Sequence, residues 1–248
     1  MPRIKQIFSR ILPKPRPQIR PLHELKPGDP HYRAYVGPPE RYDLIAAMVF
    51  NLLICIGLRE RHRLLDIGCG SLRCGRLLIP YLNPGNYVGV EPNRWLIDEG
   101  IARETGKDLI RIKRPRFFYN DDFRFDERFG RFDFAAAQSI LSHASLQQID
   151  TCLQSVSNRL EPSGALVATY VIGDKDYAEP TWLYPQCANY REETIAEISR
   201  RHGLEYQRLD WLHPHGQSWC LISKSGFDRS IWIDQPLSWN TLVKAGRI

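Results

Sequence analysis

The 248-residue sequence has no apolar run long enough to cross a bilayer. The longest, Leu44 to Leu58, is broken by Asn51 and falls short of the ~20 residues a spanning helix needs, so it reads as a buried helix. The six cysteines form no CxxC pair and no Cys/His ligand spacing, and the sequence opens on no secretory signal. They read as reduced thiols of a cytoplasmic protein, with neither a disulfide framework nor a metal site. No internal repeat is visible. Most of the sequence also lacks any excess of positive charge, despite a formal net charge of +6. Of the 34 Lys and Arg, Arg3, Lys5, Arg10, Lys14, Arg16 and Arg20 fall within residues 1–22, which hold no acid; the other 28 equal the 28 Asp and Glu. A surface that tracks a phosphate backbone needs clustered charge. No nucleic-acid partner is expected.

What is there divides into three stretches. In residues 1–22, Ile4, Ile7, Phe8, Ile11 and Leu12 share one helical face, and a proline-rich linker follows from Pro13. The pattern over 3–12 fits peripheral contact with an anionic membrane, packing on the domain, or an organelle presequence, and these stay open. Residues 23–225 read as one domain, and 226–248 as an extension without a clear period. From about residue 40, helical and strand-like stretches alternate. Strands are predicted at 63–67, 87–91, 116–119, 132–138, 165–172, 204–211 and 217–223. Helices are predicted at 41–58, 72–82 (kinked or ended by Pro80), 94–105, 145–160 and 191–202. Ser145 and Gln148 form a capping box for the fourth helix, and Pro162 and Gly164 end it. The last two strands flank His213-Pro214-His215-Gly216 as an antiparallel hairpin. The expected fold is therefore α/β: a doubly wound, mostly parallel seven-stranded sheet with a C-terminal antiparallel hairpin and helices on both faces.

The segment Leu64-Leu65-Asp66-Ile67-Gly68-Cys69-Gly70-Ser71 runs a buried strand straight into a glycine turn. In open α/β sheets, ligands bind beyond the carboxyl ends of the strands, where glycine lets backbone approach them. A dinucleotide site wants GxGxxG, but the third glycine position is Arg73. Asp66 would also face a pyrophosphate of its own sign. A nicotinamide oxidoreductase is the weaker reading.

The segment resembles motif I of the class I S-adenosylmethionine-dependent methyltransferases, Asp/Glu-x-Gly-x-Gly-x-Gly, with Leu72 in place of the third glycine. The resemblance covers about residues 40–224. It implies S-adenosylmethionine as cofactor, held by Asp66, Gly68 and Gly70. It implies that Glu91, ending the second strand, takes the ribose hydroxyls. It also implies that Asp121 or Asp122 meets the adenine amino group, with Phe123 on the ring. Phe132-Asp133 opens the fourth strand as the family's Phe-Asp does, and Gln138 ends it facing the cleft. Leu160-Glu161-Pro162-Ser163-Gly164 is similar to the family's Leu-x-Pro-Gly-Gly.

Methyl transfer to a hydroxyl or an amine needs a base for the proton. His143, a few residues past the fourth strand, is the candidate, and His213 and His215 are candidates for the acceptor pocket. Tyr35, Tyr42, Trp182 and Tyr184 flank the core and read as packing. The implied activity is O- or N-methylation of a small-molecule acceptor, glycan- or lipid-linked if residues 3–12 touch a membrane. A catalytically inactive cofactor-binding protein of the same fold is the alternative.

Overall fold

A computed structural model describes residues 21–230; segment 3–12 and residues 231–248 lie outside the described residues. The strands are β1 (Leu64–Ile67), β2 (Tyr87–Val90), β3 (Arg116–Phe118), β4 (Phe132–Ala137), β5 (Leu160–Ile172), β6 (Asn189–Tyr190), β7 (Glu205–Leu209) and β8 (Ser218–Ser223). They form one sheet in the order β3-β2-β1-β4-β5-β8-β7, with β6 paired to β5 off that path. Pairing is parallel from β3 through β5 and antiparallel between β5, β8 and β7. Strand order reverses at β1, which has β2 on one side and β4 on the other. The ligand cleft of such a sheet opens at that switch point.

All four residues of β1 are buried, as expected for a central parallel strand covered on both faces. The pleat sends Leu64 and Asp66 to one face and Leu65 and Ile67 to the other. Helices α1 (Tyr42–Cys55) and α2 (Gly75–Tyr81) cover the first face, where Ile45, Val49, Leu52 and Leu78 cluster with Leu64 and Tyr87. On the same face, α3 (Arg94–Gly100) continues into a π-helical turn, Ile101–Thr105, and α4 (Lys107–Lys113) follows, with Ile97, Ile101, Leu109 and Ile110 joining that core. Helices α5 (Leu146–Arg159) and α6 (Glu192–Arg201) cover the second face, with Ile149, Leu153, Val156 and Ile195 against Leu65, Ile67 and Ala135. The α5 capping box forms in both directions: Gln148 N donates to Ser145 Oγ and Ser145 N to Gln148 Oε1.

The fold departs from the sequence expectation in three places. Helix α4 was not predicted; it buries no residue completely, and Leu109 and Ile110 only half-pack on the core, so its apolar stripe is faint. The sheet gains an eighth, two-residue strand in β6. Strand β5 starts at Leu160, five residues early, because Leu160 pairs with Phe132 and Ala165 with Phe134. Residues 161–164 bulge out between those pairs, so Pro162 and Gly164 mark an irregularity within the strand.

Residues 21–41 form a strap with short 3-10 turns at Leu22–Glu24 and Pro39–Arg41. Its anchor is Glu104, almost wholly buried, which accepts from Arg33 Nη2 at 2.7 Å and from Tyr32 Oη at 3.0 Å, with Arg76 Nη1 3.6 Å away. The Arg33 guanidinium lies 4.6 Å over the Tyr42 ring, so its charge is met on two sides. No helix among the described residues is long and apolar enough to cross a membrane. Glu104→Ala removes the buried counter-charge of two arginines, although Asp43 still reaches both. It is expected to lower unfolding free energy by about 2–3 kcal/mol in urea, less than the full cost of orphaning a buried ion pair. A loss within error would show that other contacts hold the strap.

Candidate active site

Beyond β1 the backbone enters the left-handed region three times, at Gly68 (φ +68°), Gly70 (φ +54°) and Leu72 (φ +60°). Val90 O accepts from Gly68 N at 2.8 Å and Cys69 N at 3.0 Å, which fastens the turn to the end of β2. Both glycines are also sites of close approach. A Cβ on Gly68 would fall 2.0 Å from Ile140 Cδ1, and one on Gly70 2.7 Å from Val36 Cγ1. Leu72 stands where the motif has its third glycine and keeps the glycine-like dihedral. Its side chain is fully buried, and two other glycines make the room. A Cβ on Gly75 would lie 3.2 Å from Leu72 Cβ, and one on Gly100 3.0 Å from Leu72 Cγ and 2.4 Å from Ser71 O. The leucine thus accepts backbone strain in return for core packing.

A cavity of about 650 Å³ opens beside this turn, and an annex of about 20 Å³ adjoins it. Gly68, Gly70, Glu91, Asp121, Phe123, Gln138, His143 and His215 all line the main cavity. Asp66 lines the annex instead, with Tyr87 Oη donating to its Oδ2 at 2.6 Å. Burial pushes the Asp66 carboxyl up to about 6, against the pull of Tyr87 and Arg73. Glu91 is raised as well, again by burial, although Gly70 N, Asn93 N and Asn93 Nδ2 all donate to it.

Two of the proposed site residues line neither the main cavity nor the annex. Asp122 is occupied in its own turn, accepting from Arg124 N at 3.0 Å and Asn120 Nδ2 at 3.2 Å, so Asp121 is the aspartate on the cavity wall. His213 is buried behind Gln138, its Nε2 3.3 Å from Gln138 Nε2. Burial, then His215 and Arg73, hold it down to about 3, so it is neutral at every ordinary pH.

Sequence reasoning passed over several cavity residues. Asn120 donates through Nδ2 to Asp122 Oδ1 and Arg124 O, which leaves its buried Oδ1 without a partner on the cavity wall. Ser139, Thr169 and Gln217 form a triangle: Ser139 N donates to Thr169 Oγ1 at 2.7 Å, Thr169 Oγ1 to Gln217 Oε1 at 2.6 Å, and Gln217 Nε2 to Ser139 Oγ at 2.8 Å. It ties together the ends of β4, β5 and β8. Tyr184 and Trp182 also line the cavity, with ring centroids 5.0 and 5.5 Å from that of His143. Polar loop residues such as Ser139 and Gln217 carry no spacing signature. Asn120, directly before the two aspartates, was the one legible hint.

His143 itself is tightly oriented. Its Nδ1 lies 2.9 Å from Leu183 O and 2.7 Å from Gln186 O; both can only accept, so Nδ1 carries the ring proton. The Nε2 lone pair is left on the side of Ser139 Oγ, 3.4 Å away. Burial holds the imidazole below its ordinary 6.5, so the ring is neutral near pH 7. Among the described residues no cluster of His, Cys, Asp and Glu is placed to hold a metal ion.

Residues 65–166 match the family described as "Methyltransferase domain". Several solved structures share the fold. Magnesium protoporphyrin IX methyltransferase from Synechocystis PCC 6803, solved with bound SAH (S-adenosylhomocysteine), is 12% identical at a TM-score of 0.59, over 75% of this chain and 85% of that one. A SAM-dependent methyltransferase from Clostridium acetobutylicum is 13% identical at 0.55, over 75% and 92%. An amino pentose methyltransferase from Micromonospora echinaspora is 13% identical at 0.55, over 74% and 92%. At such identities the likeness is one of fold, and it agrees with the motif resemblance.

Two outcomes test the turn. Leu72→Gly relieves a left-handed residue, worth about 1–2 kcal/mol, but empties a buried leucine site, which costs about 2–5 kcal/mol. A net loss of about 1–3 kcal/mol is expected in urea, and a gain would contradict the packing role. The Asp66 carboxyl lies above its ordinary 3.8 in the folded chain, so the fold binds the extra proton and loses stability as pH rises from about 4 to about 6. Asp66→Asn has no such proton to lose. Its stability relative to wild type is expected to climb across that window and stay level above it in urea titrations.

Proposed function

From a class I S-adenosylmethionine-dependent methyltransferase fold carrying a methyltransferase domain at residues 65–166, we propose that this chain transfers a methyl group from S-adenosylmethionine to a hydroxyl of a small-molecule acceptor, with His143 as the base. The observation that carries the reading is the fixed tautomer of His143, with its proton held by two carbonyls and its Nε2 left as the acceptor, facing Ser139 Oγ at 3.4 Å.

The residues present fit the cofactor. Gly68 and Gly70 make a cradle that any Cβ would fill. Glu91 offers carboxylate oxygens for the ribose hydroxyls at the end of β2. At the end of β3, Asp121 and the orphaned Asn120 Oδ1 offer two acceptors, which suits the two hydrogens of an adenine amino group. Asp66, which stands in the annex, favours positive charge at the turn. When bound, the cofactor supplies an electrophilic methyl on a sulfonium.

The chain's own residues do the rest. The strap and the loop that carries Trp182 and Tyr184 wall the cavity and limit water. The Ser139–Thr169–Gln217 triangle fixes Ser139 Oγ beside His143. His143 Nε2 accepts the acceptor's proton as its oxygen attacks, and Leu183 O and Gln186 O stabilise the imidazolium that results. The carboxylates on the cavity wall, Glu91 and Asp121, stand at the ends of β2 and β3, away from His143. A neutral acceptor hydroxyl suits the histidine side better than an ammonium does.

Calorimetry with S-adenosylmethionine tests binding, and no heat at millimolar cofactor would sink the reading. Methyl-labelled cofactor offered to hydroxylated and amino small molecules then tests transfer. Label should reach hydroxyl compounds. With such an acceptor, His143→Gln is expected to lower kcat by about 10²–10⁴-fold at unchanged cofactor Kd. Wild-type kcat should fall with acidification only below pH 6.5, because burial lowers the imidazole. Transfer to amines alone, or an unaffected His143→Gln, would overturn the assignment. Binding without transfer to any compound would favour an inactive cofactor-binding protein.

A further inference from the structure

Arg33 and Arg76 share Glu104 and Asp43. Arg73 is different. It is 8% exposed, yet among the described residues no carboxylate lies within ion-pair distance of it. Its Nη1 donates to Val36 O at 2.8 Å and its Nη2 to Gln138 Oε1, both neutral acceptors. A guanidinium has five N–H donors, so capacity remains. Asp66 feels the Arg73 charge from beyond ion-pair distance, and a buried cation so incompletely countered costs free energy that folds recover where an anion completes it. Arg73 lines both the main cavity and the annex, beside Gly68, Gly70 and Gln138. Asp66 stands in the same annex. One carboxylate and one guanidinium on a single wall complement a group that carries an ammonium and a carboxylate together.

We propose that Arg73 is the carboxylate clamp of the cofactor site, pairing with the α-carboxylate of the cofactor's amino-acid tail. The inference rests on the cofactor reading above. It gives a role to a residue that, by sequence, only broke the dinucleotide spacing. Its hydrogen bonds to Val36 and Gln138, and the contact of Gln138 with His213, place it where strap, β4 and the terminal hairpin meet.

The test compares two nucleosides by calorimetry on the full chain. S-adenosylhomocysteine has the amino-acid tail, whereas 5′-methylthioadenosine keeps adenine, ribose and sulfur without it. Arg73→Gln removes the charge but keeps a polar side chain, and Arg73→Lys retains the charge without the fork. For Arg73→Gln, S-adenosylhomocysteine affinity is expected to fall at least about 30-fold, the scale of one lost charge-assisted contact. Methylthioadenosine affinity should stay within about twofold, which also reports that the variant is folded, and Arg73→Lys should fall between. Equal loss for both ligands, or no loss for either, overturns the clamp. Failure of the wild type to bind either nucleoside overturns the cofactor reading instead.

Discussion

The Val90 carbonyl accepts from the backbone of both Gly68 and Cys69, and that fork decides where the cleft lies. It bends the chain leaving β1 back over the end of β2, so that Gly70 N comes within 3.2 Å of Glu91. The turn then needs left-handed dihedrals, and those in turn need glycine or a residue paid in packing. Ile140 and Val36 close on the two glycines from opposite walls. Loosening the fork would therefore displace the turn, the Glu91 carboxylate and both walls together.

The same constraint accounts for the charges. The pleat that puts Leu65 and Ile67 in one core puts Asp66 in the other, among apolar neighbours and under Tyr87. A carboxyl there is held up to about 6 by burial, which costs the fold stability above that pH. Arg73 is buried seven residues later, also without an ion-pair partner. Structural cores avoid such groups, whereas sites for charged ligands require them.

How much of this could be read beforehand depended on the kind of signal. The glycine turn, the acid at the end of β2 and the capping box of α5 have fixed spacings, and each was legible. Helix α4 was not, because it has no deep face to imprint a period. Pro162 and Gly164 do follow the end of α5 at Arg159, but the early start of β5 at Leu160 was hidden because Pro and Gly punctuate a bulge as well as a helix stop. Within the cleft, Asp121 and Asp122 were equivalent in sequence, and only the local bonds of Asn120 and Arg124 separate them. His213 and His215 looked like a pair, yet Gln138 stands between the first and the cavity. Leu72 looked like a defect in the motif. Its dihedral shows the motif intact in backbone, with the missing space moved to Gly75 and Gly100.

The strap has a consequence for the order of assembly. Arg33 leaves the ribosome early, but its anchor, Glu104, follows 71 residues later, after β1, the glycine turn and β2. Closing a loop of that length costs entropy that only the finished anchor repays. The strap residues Tyr35 and Val36, which wall the cavity, are thus held in part by a contact that spans the whole first half of the sheet.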